Sequence, residues 1–319
     1  MNLETIDLLT PPFSSLGEER EKNGDSVKLR LQTLYASEIS ICRQMKWLDL
    51  TLPSPAENLA CDEALLDWCE NGKGGETLRF WESRDYFAVV GYANKIANEV
   101  NVAACEKRGI PILRRCSGGG TVLQGPGCLN YALVLRITDT GPLHNISAAN
   151  QFIMERNRAA IEPFFIKSEI RNPGFAKGYA EASPQSAIQV CGHTDLVIGG
   201  RKFSGNSQRR RKHFLLFHGT FLLDFNLSLI AELLQMPSKQ PDYRQSRNHD
   251  EFLMNLKIPA ERLKNALIKA WNAPVNQAIF PNKNLTSWWP KSIRRPSGIS
   301  GYRPAKAGDF PYQLLTTDY

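Results

Sequence analysis

A run of three glycines behind two arginines is the stretch of this sequence best suited to binding an anion. Consecutive glycines cost folding entropy, so they mark a backbone that approaches a ligand closely or exposes its N–H groups. The two guanidinium groups supply positive charge for a carboxylate or a phosphate. The stretch therefore predicts an anion-binding loop, the alternative being a tight surface turn with solvated arginines. Its residues are Arg114, Arg115, Cys116, Ser117, Gly118, Gly119, Gly120 and Thr121.

A second group of residues suited to chemistry lies in a predicted β-hairpin whose turn is the glycine pair at 199–200. A two-residue turn would place Val197 opposite Lys202 and Asp195 opposite Ser204, with all four side chains on one face. Asp195 and Lys202 would then be diagonal neighbours, close enough to form an ion pair. A lysine fixed in this way can stabilise the negative charge that develops when an acyl carbonyl is attacked. The alternative is a surface ion pair worth about 0.5 kcal/mol.

Two more side chains and one basic run are candidates of lower specificity. His218 lies in an apolar strand, where a lone histidine is more often a satisfied core residue than a catalyst. Cys191 precedes Gly192-His193 and would need a neighbouring base or cation to act as a nucleophile, so a buried thiol is the default interpretation. The basic run at 209–213 predicts either a docking surface for an acidic partner or a solvated loop.

The positions of these residues depend on a mixed set of predicted elements. Strands and helices alternate without a strict βαβ repeat, which predicts an α+β fold with mixed or antiparallel sheets flanked by helices. Ser54, Pro55 and Glu57 are typical of a capped helix start, and that helix extends to about Glu70. Further helices are predicted at 102–107, 147–164, 227–234 and 259–271. Strands are predicted at 46–52, 77–81, 87–91, 111–115, 129–137, 194–198, 201–204 and 214–223, and a turn-rich loop at 173–186.

Composition limits the possible functions. The chain has 319 residues, 22% of them charged, and a formal net charge of +7, which favours an anionic partner such as a nucleotide or an acidic protein. The 7 cysteines form no C-x-x-C pair, which argues against a disulfide framework or a zinc site. No Walker or dinucleotide-binding glycine motif occurs, so a nucleotide would be bound by other means. Without a signal pattern or a membrane-length apolar run, we expect a soluble, cytoplasmic monomer that binds neither nucleic acid nor membrane.

Three motifs in order give the sequence a family resemblance. They are R-R-x-S-G-G-G-x-V at 114–122, D-L-x-x-x-x-R-K-x-S-G-x-x-Q at 195–208 and H-G-T at 218–220. With them, residues 45–271 resemble the lipoate-protein ligase A family of the wider biotin/lipoate ligase and octanoyltransferase group. We accordingly expect 1–44 to be a disordered extension (or Met45 to be the true start), 45–272 a lipoate ligase-like catalytic domain, and 273–319 an irregular tail.

The resemblance implies a two-step reaction and a set of binding residues. Lipoate or octanoate and Mg²⁺-ATP would give an acyl-adenylate, and the acyl group would pass to a lysine of a lipoyl domain. The implied partners are 2-oxoacid dehydrogenase E2 and the glycine-cleavage H protein. Lys202 would contact the carbonyl and phosphate oxygens as the catalytic residue. The implied substrate- and nucleotide-binding residues are Arg114, Arg115, Ser117, Gly118, Gly119, Gly120, Thr121, Asp195, Ser204, Gly205, Asn206, His218, Gly219 and Thr220.

Some positions depart from the family pattern and leave alternatives open. Gln124 stands where the family usually has histidine, and Thr194 stands where it has asparagine. Full ligases also carry an accessory domain, and the segment after residue 271 is shorter than such a domain. One alternative is a cysteine-dependent octanoyltransferase or lipoyl amidotransferase that uses Cys191, although the sequence spacing from Cys191 to Lys202 is short for that group. Another is the adenylate-binding half of a two-chain ligase, which would need an accessory protein.

Overall fold

The computed structural model describes residues 45–165, 187–237 and 239–276. Its strands are β1 (Lys46–Asp49), β2 (Thr77–Trp81), β3 (Phe87–Val90), β4 (Ile112–Arg114), β5 (Val122–Gln124), β6 (Cys128–Arg136), β7 (Ile188–Cys191), β8 (Asp195–Ile198), β9 (Arg201–Arg210), β10 (Phe214–Leu222) and β11 (Val275–Asn276). Its helices are α1 (Pro55–Glu70), α2 (Ile96–Glu99), α3 (Val102–Arg108), α4 (Ile146–Ile161), α5 (Ser228–Leu233), α6 (His249–Phe252) and α7 (Ala260–Ala270). A single 3-10 turn within these ranges spans Asp242–Arg244.

Two sheets organise the described residues. The larger has eight strands in the order β11-β1-β2-β6-β10-β9-β8-β7, and the smaller has three in the order β4-β3-β5. The pairs of β1 with β11 and with β2 are parallel, whereas β2, β6, β10, β9, β8 and β7 pair antiparallel in sequence across the sheet. This mixed architecture confirms the predicted α+β class.

Helices cover both faces of the larger sheet. On one face, α1 packs Leu65 and Leu66 against Ala132 and Val134 of β6. The opposite face of β6 packs in another core cluster with side chains of α4 and α7. Every residue of β6 except the last is buried, which explains why its sequence is a continuous apolar run with little alternation.

The start of α1 forms as its sequence predicts. The backbone N–H of Glu57 donates to Ser54 Oγ at 3.2 Å, and the Ser54 N–H donates to the Glu57 carboxylate at 2.8 Å. This capping box satisfies donors that a helix start otherwise leaves open. None of the helices in the described ranges has the length and apolar run needed to cross a bilayer.

The structure departs from the predicted elements at several short segments. Strands β5 and β7 and helices α2 and α6 have no counterpart among the predictions, because segments of three or four residues carry too little periodicity to detect. Residues 275 and 276, predicted as irregular, form β11 beside β1. The predicted extension at 1–44, the whole loop at 173–186 and the tail after 276 lie outside the described residues.

Candidate active site

A cavity of about 760 Å³ lies between elements of both sheets. The glycine-rich loop, the β8–β9 hairpin, β10, Pro237 and residues within 239–244 all contribute to its wall. Most of the predicted site residues meet there, which is the first requirement for a shared chemical role. Those that line it are Arg115, Gly119, Gly120, Thr121, Asp195, Lys202, Gly205, Asn206, His218, Gly219 and Thr220.

Other predicted site residues lie around this cavity without lining it. Arg114 points to the outer side of the loop, where its Nη1 donates to the carbonyls of Gly91, Tyr92 and Asn94. Ser117 is completely buried behind the loop, and Gly118 lies next to it. Ser204 lines a smaller neighbouring cavity and is also fully enclosed.

Arg115 holds the glycine-rich loop in shape from within. Its Nη2 donates to the carbonyls of Gly118 at 2.6 Å and of Gly120 at 2.7 Å. Burial lowers the pKa of Arg115 to about 10, which leaves it charged at neutral pH. Because a trans peptide points its N–H opposite to its C=O, the N–H groups of Gly119 and Thr121 point away from Arg115. The loop thus presents backbone donors on the side that the guanidinium does not occupy, as an anion-binding loop requires.

Lys202 is clamped at the cavity wall by Asp195. The Lys202 ammonium lies 2.8 Å from Asp195 Oδ1, and the Tyr243 hydroxyl donates to Asp195 Oδ2 at 2.7 Å. Burial and the Asp195 charge raise the pKa of Tyr243, so the phenol stays protonated and remains a donor. A Cβ at Gly205 would lie 2.7 Å from Lys202 Nζ, so only glycine lets the lysine lie across this strand.

The expected ion pair is present, but the expected register of the hairpin is wrong. Val197 does pair with Lys202, but an irregularity after Leu196 inserts a residue in β9, so that Asp195 pairs with Gly205 instead of Ser204. A bulge of this kind bends the strand and redirects side chains. The bulge therefore leaves room for the lysine above Gly205, where the regular hairpin would have had a serine.

His218 connects the glycine-rich loop to the sheet and to α1. Its Nε2 lies 2.6 Å from Ser117 Oγ, and its Nδ1 lies 3.4 Å from Asp62 Oδ2. Arg115 Nε also donates to Ser117 Oγ at 3.1 Å, so Ser117 joins His218 to the arginine that holds the loop. Asp62 also forms a buried ion pair with Arg79 at 2.6 Å. The structure places His218 in a satisfied polar chain whose other side faces the cavity.

The remaining floor of the cavity is a hydrogen-bonded set on β9, β10 and β6. Asn206 accepts from the Tyr131 hydroxyl at 2.6 Å and donates to the Thr194 carbonyl at 2.8 Å. A Cβ at Gly219 would overlap Asn206 Oδ1, so the Asn206 side chain keeps this position only because residue 219 is glycine. Gln124, at the family's histidine position, donates to Thr220 Oγ1 at 2.6 Å.

Sequence reasoning missed the wall formed by residue 237 and residues 239–244. Asp242 and Arg244 line the cavity from the 3-10 turn, where Arg244 is almost fully buried, and Tyr243 of the same turn reaches Asp195. No motif marks the segment, so no signal in a single sequence could have identified it. Gln245 and Ser246 follow with positive φ, a strained conformation for residues other than glycine that is often found near functional sites.

Cys191 lacks the surroundings that a nucleophilic thiolate needs. Cys191 ends β7, pairs with Asp195 across the strand and does not line the cavity. Burial, with a further effect of the Asp195 charge, raises the pKa of its thiol.

In the basic run, Arg211 pairs with Asp67 at 2.9 Å, and the backbone N–H groups of residues 212–214 donate to the Glu70 carboxylate. That turn is therefore anchored to α1 and is not a loose solvated loop.

No group of three or more His, Cys, Asp and Glu side chains within the described ranges could hold a metal ion. A magnesium ion would therefore need ligands from elsewhere, and the phosphates of a nucleotide commonly supply them.

Solved structures of lipoate-protein ligases have a similar fold. The chain matches a bi-partite lipoate protein ligase from Thermoplasma acidophilum with a TM-score of 0.59 at 19% identity, over 79% of this chain and 93% of that one. A lipoate-protein ligase A bound with ATP matches with a TM-score of 0.56 at 23% identity, over 79% and 95% of the two chains. At these identities the likeness shows the fold alone.

Curated relatives and a family model identify the chain more closely. Octanoyltransferase LipM of Geobacillus kaustophilus is 27% identical over 245 residues, covering 74% of this chain and 88% of the relative. Octanoyltransferase LipM of Bacillus subtilis is 29% identical over 206 residues, covering 64% and 74%. Residues 54–271 match the model of the lipoyl protein ligase A/B catalytic domain. The chain therefore belongs to the lipoyl protein ligase A/B catalytic domain family, whose members include ligases and octanoyltransferases.

Proposed function

We propose that the protein activates a lipoyl or octanoyl carboxylate as an acyl-adenylate and passes the acyl group to a lysine of a lipoyl domain. The observation that carries this proposal is the convergence of two anion-binding devices on one cavity. The glycine-rich loop offers backbone N–H groups held in place by Arg115, and the β8–β9 hairpin offers the Lys202 ammonium held by Asp195. An acyl-adenylate carries both a phosphate and a reactive carbonyl, so it would use both devices.

In the first step, a carboxylate oxygen of the acid attacks the α-phosphorus of ATP. The new carboxyl–phosphorus bond forms as the bond to the β-phosphate oxygen breaks, and pyrophosphate leaves. Negative charge increases on the transferred phosphoryl group, where fixed N–H donors and an ammonium are most effective because they need not reorganise. Mg²⁺ would enter on the nucleotide phosphates and lower their charge.

In the second step, the neutral amine of the acceptor lysine attacks the acyl carbonyl. A nitrogen–carbon bond forms, AMP leaves with the carbonyl–oxygen bond pair, and the amine proton is released to solvent. The Lys202 ammonium is suited to stabilise the oxyanion formed during this attack. Asp195 and Tyr243 keep its position, so a single geometry would serve both steps.

The acceptor would be a lipoyl domain of a 2-oxoacid dehydrogenase E2 or a glycine-cleavage H protein. The similar Thermoplasma structure is described as a lipoylation system comprising a bi-partite ligase and its E2 lipoyl domain. A net charge of +7 would favour encounter with an acidic acceptor domain. The bi-partite ligase also supports the version of the proposal in which this chain works with an accessory protein.

An intact-mass assay tests the proposal. The purified chain is incubated with an apo lipoyl domain and lipoate, with and without Mg²⁺-ATP. A lipoyl mass increment on the domain that appears only with ATP is the expected result. No increment with lipoate and ATP, either alone or with a candidate accessory protein, would refute adenylate-dependent ligation.

The octanoyltransferase relatives favour a second candidate function. Here an octanoyl group from a carrier protein would pass to the Cys191 thiolate as a thioester and then to the acceptor lysine, without ATP. This route requires a reactive thiolate, whereas burial and Asp195 raise the pKa of Cys191. Octanoyl carrier protein in the same mass assay, with Cys191→Ser beside the parent chain, separates the two routes. Under our proposal that variant transfers lipoate nearly as well as the parent.

The alkylation rate of Cys191 gives an independent prediction. A thiol with a raised pKa stays protonated at neutral pH, so labelling by iodoacetamide is expected to be slow at pH 7 and to accelerate only above pH ~8.5, the ordinary cysteine value. Peptide mapping after timed labelling measures the rate at this site, with a short unstructured cysteine peptide as reference. Labelling of Cys191 at pH 7 faster than the reference would indicate a thiolate and favour the transferase.

A further inference from the structure

Two lysines line the main cavity within the ranges that the structure describes, Lys202 and Lys239. The ammonium of Lys202 lies 2.8 Å from Asp195, which keeps it in place as a positive charge. Lys239 is exposed and forms no ion pair with any carboxylate of the described residues. A lysine amine becomes a nucleophile when it gives up its proton, and a paired carboxylate opposes that loss. The cavity wall therefore carries a second amine that neither step of the proposed function uses.

Two contacts hold residues 239–244 against the β8–β9 hairpin and the turn before it. A Cβ at Gly192 would lie 3.7 Å from Pro241 Cβ, which is an ordinary packing distance. The Tyr243 hydroxyl donates to Asp195 Oδ2 at 2.7 Å. Gly192 and Asp195 both line the cavity, so these contacts place Lys239, shortly before Pro241 in the chain, at the cavity rim.

The side chain of Lys239 is within reach of a group bound at Lys202. Lys239 precedes Tyr243 by four residues, so the chain between them spans at most about 14 Å even when fully extended. The Asp195 carboxylate connects the Tyr243 hydroxyl to the Lys202 ammonium. Because lysine has a flexible four-carbon stem, its amine covers a wide range of positions around a fixed backbone. A carbonyl group that contacts Lys202 therefore lies in the region that the Lys239 amine can enter.

An acyl-adenylate in this cavity would present its carbonyl to any neutral amine nearby. The nitrogen of Lys239 would attack the carbonyl carbon, forming a nitrogen–carbon bond as the bond from that carbon to the phosphate oxygen breaks. AMP would leave with the electron pair of the broken bond, and the amine proton would pass to solvent. A nucleophile attached beside its target has an effective concentration on the order of millimolar, so this reaction competes well when the acceptor domain is scarce.

We propose that Lys239 is a self-acylation site, which takes the acyl group of a bound acyl-adenylate when no acceptor domain is present. The product is an amide, so the acyl group stays on the chain. The proposal rests on the proposed function for the position of the adenylate carbonyl beside Lys202. It does not require the chain to make the adenylate itself.

Chemically prepared octanoyl-adenylate tests the proposal without the first step of the proposed function. The purified full chain is mixed with an equimolar amount, and peptide mapping locates the octanoyl groups. Lys239 is expected to be acylated at least roughly tenfold more than Lys107 and Lys269, because only Lys239 would be held beside the reagent. Those two lysines are also exposed but lie outside the cavity lining.

The matched reagent is the octanoyl ester of N-hydroxysuccinimide. It acylates exposed amines but carries no AMP group that would bind in the cavity, so the preference for Lys239 is expected to fall towards one. Excess AMP is expected to slow the labelling of Lys239 by the adenylate, because it occupies the place of the leaving group.

Two substitutions give a second readout by intact mass. Lys239→Arg keeps the positive charge and removes the nucleophile, so the octanoyl increment from the adenylate is expected to disappear. Lys107→Arg is the matched control, and the increment is expected to remain. Both side chains are exposed, so neither change is expected to alter the melting temperature.

Equal labelling of the three lysines by the adenylate, or no labelling of Lys239, would overturn the proposal. So would an equal preference for Lys239 with the succinimide ester, labelling that excess AMP does not slow, or an increment that Lys239→Arg retains. The proposed function has its own outcome. ATP-dependent acylation of an acceptor domain with Lys239 unmodified by the adenylate would keep that function and reject self-acylation, whereas labelling of Lys239 by the supplied adenylate with no adenylate made from acid and ATP would do the reverse.

Discussion

Lys202 is the single side chain on which both proposed steps depend. Its removal leaves Asp195 with the Tyr243 hydroxyl as a partner, so no buried carboxylate loses all its hydrogen bonds. Lys202→Ala is therefore expected to lower acyl transfer by about 10²- to 10³-fold, the usual effect of losing one oxyanion-stabilising group, with little change in melting temperature.

Single-turnover transfer rates and thermal unfolding of the same preparation measure both effects. Lys269→Ala, an exposed change on α7, is the control for simple loss of charge. Normal transfer by Lys202→Ala would remove this residue from the site.

For individual residues, the sequence predicted which side chains meet better than it predicted the strand register that brings them together. The pairing of Asp195 with Lys202 was expected from the hairpin and occurs, although the bulge changes the register that was used to predict it. Tyr243 completes the clamp from 48 residues away, and nothing in a single sequence links it to Asp195.

A buried ion pair joins α1 to the larger sheet. Arg79 on β2 and Asp62 on α1 meet at 2.6 Å with side chains 0% and 2% exposed. Asp62→Asn would leave the Arg79 charge buried without its counterion, which typically costs about 3–5 kcal/mol of unfolding free energy. Urea unfolding measures this loss.

Glu232→Gln is the matched control, because the Arg108–Glu232 pair joins two elements at the surface with both side chains nearly half exposed. Its loss is expected to leave the free energy of unfolding nearly unchanged, because water and salt screen exposed ion pairs. Equal effects of the two substitutions would mean that the buried pair contributes no more than the exposed one.

The long elements were predictable because their sequences carry explicit signals. The capping box fixes the start of α1, and the β-hairpin is bounded by its glycine pair. Strand β5 is different, since Val122 to Gln124 has the length of a turn and is a strand only because β3 pairs with it. Whether such a short segment is a strand depends on pairing with a strand elsewhere in the chain, and local propensity does not determine it.

The order of strands in the larger sheet is a property of the whole molecule. Motifs far apart in sequence, such as the glycine-rich loop with Ser117 and the strand with His218, 101 residues later, meet because β10 lies between β6 and β9. The sequence supported an α+β class but contained no information on this order. The family resemblance supplied the expectation that the three motifs would share a site, and pairings such as Thr220 with Gly205 show how the sheet achieves it.

The parallel pairing of β1 with β11 has a practical consequence for engineering the chain. Lys46 and Val275 are direct neighbours across this edge of the sheet, about 4.8 Å apart. These are the first and last strands of the described residues, and domains whose ends lie close together generally tolerate circular permutation. A short linker between residues 45 and 276, with new termini opened in an exposed turn such as 139–142, would retain every residue that lines the cavity. Fusion partners could then be moved to a different side of the enzyme.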